Sequence, residues 1–212
     1  MVEDKRSRDK PGVAKSARKA EVLSSLQAEE AAEVLRRLIS AHPELRAEAE
    51  EIASASLRAI SFEDVADEVE DAARQLDPED LYGRAGGHSW GYVTPDEAAV
   101  QMLEEALEPF LGNMRRYLDL GLEKEALEVC KGIVLGLYRV RNETENEVLG
   151  WATDFPAEAA GDAVAGWLSG GGQKAAGGSP ASKRRVFPQE FMDAHVPEWR
   201  ESLQRVVARE TG

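Results

Sequence analysis

The residues of this sequence that could do chemistry are concentrated in one glycine-rich stretch, residues 83–93. It contains Gly87-His88-Ser89-Trp90-Gly91, which matches Gly-x-Ser-x-Gly, the pattern of a serine nucleophile held on a sharp turn between a strand and a helix. The chain order also permits a triad of Ser89, a later acid and His195. Ser89 and His88 are therefore the candidate reactive residues of this loop.

The surroundings of the motif do not fit the nucleophile turn of an α/β-hydrolase. That turn needs a strand directly before the serine and a helix directly after it. Here glycines precede Ser89, and a Tyr-Val-Thr-Pro connector follows it. The favoured interpretation is structural, with glycines that allow tight turning and with Trp90 and Tyr92 packed between helices. A small hydrolase or ligand-binding enzyme centred on residues 87–92 is kept as an alternative.

The spacing of the other ligand-type residues does not indicate metal or redox chemistry. His42, His88 and His195 are the only histidines, and no two are three or four positions apart as a helical metal-binding pair would be. Cys130 is the single cysteine and lies on an apolar helical face. An intramolecular disulfide is thus excluded, and a reducing compartment is favoured. We expect no metal and no cofactor.

Charge is distributed unevenly along the 212 residues, whose net charge is −14. Residues 1–20 carry seven basic and three acidic side chains, whereas residues 21–160 carry twelve basic and thirty-one acidic ones. An acidic body repels nucleic acid and attracts basic proteins or peptides. We therefore expect another protein, with a basic surface, as the partner. Association with nucleic acid through the basic termini is kept as a second alternative.

The sequence contains no apolar segment of the length that a membrane span requires, about 18 residues. The N-terminal residues are rich in Lys and Arg, and no apolar run follows them as it would in a secretory signal. These observations predict a cytoplasmic protein without a membrane partner.

Residues 94–141 have the most legible helical pattern and predict two long helices joined as a hairpin. The first starts at Thr94-Pro95-Asp96-Glu97, which combines an N-cap, a proline in the first turn and a capping-box glutamate. Gly121 ends it, and Glu123 opens the partner helix. Pro109 lies inside the first helix and is expected to kink or split it.

Further helices are predicted on both sides of this hairpin. A helix from Ser24 to about Ser40 should bury a stripe of Ala31, Leu35, Leu38 and Ile39. The acidic run over residues 63–71 suits either a solvated helix face or a docking surface for basic partners. Trp151 is expected to anchor an acidic turn to the core.

The composition predicts four parts along the chain. These are a disordered basic arm (1–19), a helical domain (20–168), a glycine-rich flexible linker (169–186) and a C-terminal amphipathic helical segment (187–212). No segment alternates apolar and polar residues as a half-buried strand does. The predicted fold is all-α, with antiparallel helical hairpins stacked as a short α-solenoid-like or irregular bundle.

Two stretches resemble known helical families. The segment from Leu118 to Val129, with Gly121 and the Ala126-Leu127 pair, resembles the turn of a tetratricopeptide-type hairpin, in which a glycine ends helix A and an Ala-Leu pair faces inward on helix B. The resemblance implies a stack of helical hairpins, although no period of about 34 residues repeats along the chain.

A second resemblance begins at His42-Pro43-Glu44-Leu45, followed by a glycine-terminated long helix and Ala126-Leu127. This order is similar to the helical region that accompanies SWIM-type zinc fingers in uncharacterised bacterial proteins. The zinc finger itself needs Cys-x-Cys and Cys-x-His pairs, which Cys130 alone does not provide. No metal role follows from the resemblance.

The leading functional hypothesis is a non-enzymatic adaptor that binds another protein through a groove or an acidic face. Aromatic side chains dominate the energetics of such interfaces. The candidate anchors are therefore Trp90, Tyr92, Phe191 and Trp199. The apolar face of the C-terminal segment needs a cover, and one candidate is a second copy of the chain, which would make this segment a homo-oligomer contact.

Overall fold

The computed structural model describes residues 23, 25–57, 59–89, 91–170 and 185–211, and over these the fold is all-α, as predicted. The predicted basic arm (1–19) and most of the predicted linker lie outside the described residues. The helices are α1 (Ala28–Ala41), α2 (Arg46–Leu57), α3 (Phe62–Arg74), α4 (Pro78–Arg84), α5 (Pro95–Asp119), α6 (Glu123–Val140), α7 (Glu147–Trp151), α8 (Phe155–Ser169), α9 (Gln189–His195) and α10 (Arg200–Thr211), with 3₁₀ turns at Pro43–Leu45 and Pro197–Trp199.

The chain divides into two compact units, residues 1–56 and 57–212. The predicted division was different, because it joined residues 20–168 into one domain and separated the C-terminal segment from it. In the structure that segment is part of the second unit, since its apolar side chains are buried there.

The first unit is a pair of helices, α1 and α2, joined by a short 3₁₀ turn. A capping box between Gln27 and Glu30 starts α1, three residues later than the predicted Ser24 start. None of the described residues of this unit is buried. The predicted buried stripe is therefore wrong as a description of this unit, because Leu35 and Leu38 are 49% and 45% exposed.

Helix α6 forms the centre of the second unit, and α3, α5 and α8 pack around it. Residues 132–138 are all buried, so this part of the helix is covered on every side, which is typical of a helix surrounded by other helices. Its buried residues are Ala126, Val129, Cys130, Gly132, Ile133, Val134, Leu135, Gly136, Leu137, Tyr138 and Val140.

Two glycines on α6 allow α3 to approach closely. A Cβ at Gly132 would lie 2.4 Å from the Cβ of Val65, and one at Gly136 would lie 2.7 Å from both the carbonyl oxygen of Ala66 and the Cβ of Val69. These separations are far below van der Waals contact. Any larger residue at either position would push the two helices apart.

The long hairpin predicted from residues 94–141 is present as α5 and α6. Thr94 caps α5 through the predicted capping box with Glu97, and Gly121 adopts φ +72° in the turn. Of the predicted kink or split at Pro109, the split does not occur, because α5 continues through this residue. Pro109 is exposed, so the carbonyl of Glu105 that loses its partner lies on the solvent side, where water can bind it.

The glycine-rich connector contains a short antiparallel β-hairpin, where no strand was predicted. Strand β1 (Gly86–His88) pairs with β2 (Gly91–Val93), and His88 lies opposite Gly91. Gly86 and Gly91 have φ values of +116° and +150°, which L-residues with side chains rarely adopt. Backbone geometry that glycine alone tolerates, rather than alternating hydrophobicity, makes this hairpin.

The C-terminal segment packs onto the second unit through an aromatic cluster. Phe187 and Phe191 are buried, and the ring of Phe191 contacts Phe62 and Phe187 edge-to-face at centroid distances of 5.5 and 5.7 Å. Trp167 of α8 contacts Phe187 at 6.1 Å, and Leu203 of α10 is also buried. Because the second unit itself buries the apolar face of the C-terminal segment, this face is not free for a second copy of the chain.

An ion pair and a ring contact hold the end of the same segment. The guanidinium of Arg141 donates two hydrogen bonds to the carboxylate of Glu198, at 3.0 and 2.8 Å. The same guanidinium lies over the ring of Tyr138, whose edge-to-face partner is Trp199 at 5.1 Å. The hydrogen bonds from Arg141 hold the pKa of Glu198 below its usual value.

Replacing Gly136 by alanine should destabilise the second unit. The new Cβ would overlap the backbone of α3, and overpacking of this kind costs about 1–3 kcal/mol of unfolding free energy. Gly112 of α5 is the matched control, since a Cβ there meets no atom within 4 Å. Gly112→Ala should be neutral or stabilise by up to about 1 kcal/mol through helix propensity. Urea unfolding followed by tryptophan fluorescence measures the unfolding free energy of both variants. Equal changes in the two would contradict the close packing of α3 on α6.

Phe191→Ala should lower the unfolding free energy of the same unit by about 3 kcal/mol, since it empties a buried aromatic site. Tyr92, which is 70% exposed, supplies the control. Tyr92→Ala should change the stability by less than about 0.5 kcal/mol. If Phe191→Ala changed the unfolding free energy as little as Tyr92→Ala, the C-terminal segment would not be part of the core.

Candidate functional site

Three of the four predicted aromatic anchors lie in the described residues, and each has a different degree of exposure. Tyr92 is exposed on β2, while Trp90 lies outside the described residues. Phe191 is buried and Trp199 is half-buried against Tyr138. The expectation that Phe191 offers an exposed anchor is wrong, because its ring packs inside the chain's own aromatic cluster.

The serine motif does not have the geometry of a hydrolase nucleophile. Ser89 lies between the two strands of an antiparallel hairpin and is exposed, whereas a nucleophile turn connects a strand to a helix. The ring of His195 stacks on Phe191 at 5.1 Å and contacts Phe62 at 5.2 Å. The described part of the chain therefore places this histidine in an aromatic cluster and does not pair it with the serine.

Cys130 is buried at the contact between α6 and α8. Its Sγ lies 3.6 Å from the carbonyl oxygen of Ala163 and donates a weak hydrogen bond to it. Burial in apolar surroundings raises the pKa of this thiol well above its ordinary value. The thiolate needed for nucleophilic chemistry is thus disfavoured, and the residue serves as packing.

The acidic run over residues 63–71 is partly neutralised by the chain's own arginines. Arg139 of α6 pairs with Asp67 and Glu70, and Arg74 pairs with Glu70 and Glu143. These contacts tie α3 to α6 and to the loop after it. A basic partner would have to compete with them, so this face is a weaker docking surface than its composition indicates.

A groove of about 600 Å³ lies between α5, the connector before α8 and the first turns of α8, and its lining is both acidic and apolar. Two sets of side chains line it. The apolar set is Val100, Leu107, Leu111, Trp151, Ala152, Phe155 and Ala159, and the acidic set is Asp96, Glu104, Glu108, Asp154, Glu158 and Asp162, with Thr153 between them.

The connector before α8 places Trp151 beside the groove. Asn146 caps α7 by accepting a hydrogen bond from the Leu149 N–H at 3.1 Å, and its side-chain nitrogen donates to the carbonyl of Arg74 at 3.2 Å. Ala152 is buried just after the helix. Trp151 is 47% exposed, so the expectation that it anchors this turn to the core is wrong.

The groove carries an unbalanced negative charge. No Lys or Arg is among its lining residues. Glu108 forms an exposed ion pair with Arg115 at 2.6 Å. Among the described residues, no ion pair is formed by the other five carboxylates of the groove. Asp96 and Asp154 lie at helix starts, where acids also stabilise the helix dipole, but Glu104 and Asp162 lie beyond the first turn and have no such role.

Sequence reasoning missed this groove although part of its signal was present. Asp96, Val100, Glu104, Leu107 and Leu111 recur at spacings of three and four, which places acids and apolar residues on one face of α5. Such mixing is unusual for a helix face buried in a core. The residues that α8 contributes to the groove could not be recognised from the sequence, because only the tertiary fold brings the first turns of α8 to α5.

Comparison of the chain with protein-family models, with curated proteins and with solved structures gave no match. Within the described ranges, no group of three or more His, Cys, Asp and Glu side chains is arranged to hold a metal ion. None of the described helices is long and apolar enough to cross a membrane.

We expect Cys130 to resist thiol reagents in the native protein. At pH 8 a disulfide-exchange reagent should react only as fast as the chain opens, because the thiol is buried and its raised pKa suppresses the thiolate. In urea above the unfolding midpoint the reaction should be immediate. Rapid stoichiometric labelling without denaturant, followed by absorbance, would contradict the buried position.

Proposed function

We propose that the protein is a non-enzymatic interaction module whose groove between α5 and α8 binds a cationic, amphipathic segment of another protein. The supporting observation is the combination of an apolar floor with a rim of carboxylates and no basic residue. An apolar groove favours the apolar face of a helix, and the acidic rim favours Lys or Arg on its flanks.

The length of the groove suits a short helix. From Asp96 to Leu111, the groove follows α5 for about 22 Å at 1.5 Å per residue. A partner helix of roughly four turns spans this distance. It would present apolar residues at i, i+3 or i+4 and i+7 to Val100, Leu111 and Trp151, which are the large apolar lining residues that are not buried.

Trp151 is the anchor that this proposal assigns. It lies at the groove, its large ring is about half exposed, and burying it would remove apolar area from water. Tryptophan is enriched among the residues that carry most of the binding energy at interfaces. The acidic body around the groove would additionally steer a basic partner toward it, with an effect that salt weakens.

Binding of model peptides to the full chain tests the proposal. A fluorescein-labelled 14-residue amphipathic peptide of Leu and Lys should bind, and Trp151→Ala should weaken it roughly tenfold, as expected for an interface anchor. Glu104→Gln with Asp162→Asn should also weaken it roughly tenfold, because each exposed charge pair contributes up to about 1 kcal/mol. Fluorescence anisotropy at low and physiological salt measures both.

Two controls separate groove binding from general attraction to an acidic protein. Glu190→Gln with Glu201→Gln removes the same charge from exposed positions on α9 and α10 and should change the affinity less than twofold. A scrambled Leu/Lys peptide of the same composition should bind more weakly, since it has no apolar face. Equal losses in both double variants, or equal binding of both peptides, would contradict the groove as the site.

A further inference from the structure

The helical pair α1–α2 of the first unit exposes a row of large apolar side chains. On α1, Val34, Leu35 and Leu38 are 41%, 49% and 45% exposed, and on α2 Ile52 is 61% exposed. The residues of α1 lie at spacings of one, three and four, so they form one continuous stripe along the helix. This stripe shares no residue with the groove of the second unit.

The exposed apolar side chains of this helical pair need to be buried against another surface for the two helices to be stable. Helices of 14 and 12 residues are marginal in water without tertiary packing. Here none of the described residues of the unit is buried, so the pair has no core of its own. Burial of the stripe against another surface would supply the missing packing energy.

The charges along α1 indicate what that surface is. The first half of the helix carries three acids, Glu29, Glu30 and Glu33, and the second half carries two bases, Arg36 and Arg37. A second α1 laid antiparallel on the first places each acidic half beside a basic half, whereas a parallel one places like charges together. Of these charges, Glu30 and Arg37 lie beside the stripe, whereas the other three lie on the far side of the helix. An antiparallel copy places Glu30 beside Arg37 of the second chain, twice by symmetry, whereas a parallel copy places Glu30 beside Glu30 and Arg37 beside Arg37.

We propose that α1 is a homodimerisation helix, which packs antiparallel on α1 of a second copy through Val34, Leu35 and Leu38. The two-fold axis passes near the middle of the helix, so the contact uses the same patch on both chains and closes as a dimer. The pair that Arg37 makes with Glu33 within one chain is exposed and weak, and the 79% exposed side chain of Arg37 can still contact the second copy. This contact replaces the C-terminal helix as the self-association site.

The mass of the full chain in solution tests the dimer. Sedimentation equilibrium from about 1 to about 100 µM should give a mass that rises toward twice 23.2 kDa. Leu35→Glu with Leu38→Glu should return the mass to that of one chain. Leu120→Glu with Val186→Glu changes two exposed apolar residues of the second unit in the same way and should leave the dimer intact.

Cysteine cross-linking tests the orientation without relying on the glutamate variant. Antiparallel pairing places position 31 beside position 38 of the second copy and separates the two copies of position 31 by about 10 Å, more than the roughly 7 Å that a disulfide spans. A mixture of Ala31→Cys and Leu38→Cys chains should form mixed disulfide dimers on mild oxidation. The native Cys130 is buried and should not interfere.

Three results would overturn the proposal. The first is the mass of a single chain at every concentration. Amide hydrogen exchange of α1 would then distinguish two cases. Slow exchange would mean that another part of the chain covers the stripe, and fast exchange would mean that the stripe is left for a different protein. The second is a dimer that survives the Leu35→Glu, Leu38→Glu change. The third is efficient cross-linking of Ala31→Cys to itself, which would mean a parallel pair. The groove-binding assay is independent of all three.

Discussion

The close approach of α3 to α6 is the contact on which the second unit depends. Gly132 and Gly136 have no side chain to separate the helices, so the backbone of α3 lies directly against α6. This approach sets the position of Phe62 at the start of α3, and Phe62 receives the ring of Phe191. The position of the C-terminal segment therefore depends on the two glycines of α6, whose lack of a side chain lets α3 pack closely.

Docking of that segment changes which aromatic residues are available to a partner. Phe187, Phe191 and Trp167 are used in the core, where edge-to-face contacts add to the energy of apolar burial. Tyr82, Tyr92 and Trp151 are the large aromatics left exposed on the described surface. Only Trp151 stands beside a groove, and for this reason the proposed interaction centres on it.

The acidic residues of the chain fall into groups with different physical roles. Those of α3 are partly matched by Arg139 and Arg74, which hold the helices together. Those between α5 and α8 are mostly unmatched and surround apolar surface. In α1, acids and bases occupy opposite halves of one helix, and this pattern favours self-pairing. The net charge of −14 alone could not distinguish these cases.

The sequence by itself determined the features that depend on neighbours a few residues away. The capping box at Thr94, the glycine turn at Gly121 and the apolar sides of α5 and α6 are local, and they predicted the long hairpin and the all-α class. Tertiary structure decided which surfaces are covered: Phe191 is buried, Trp151 is exposed, and the first turns of α8 meet α5. Burial depends on contacts between residues far apart in the chain, which helical periodicity does not encode.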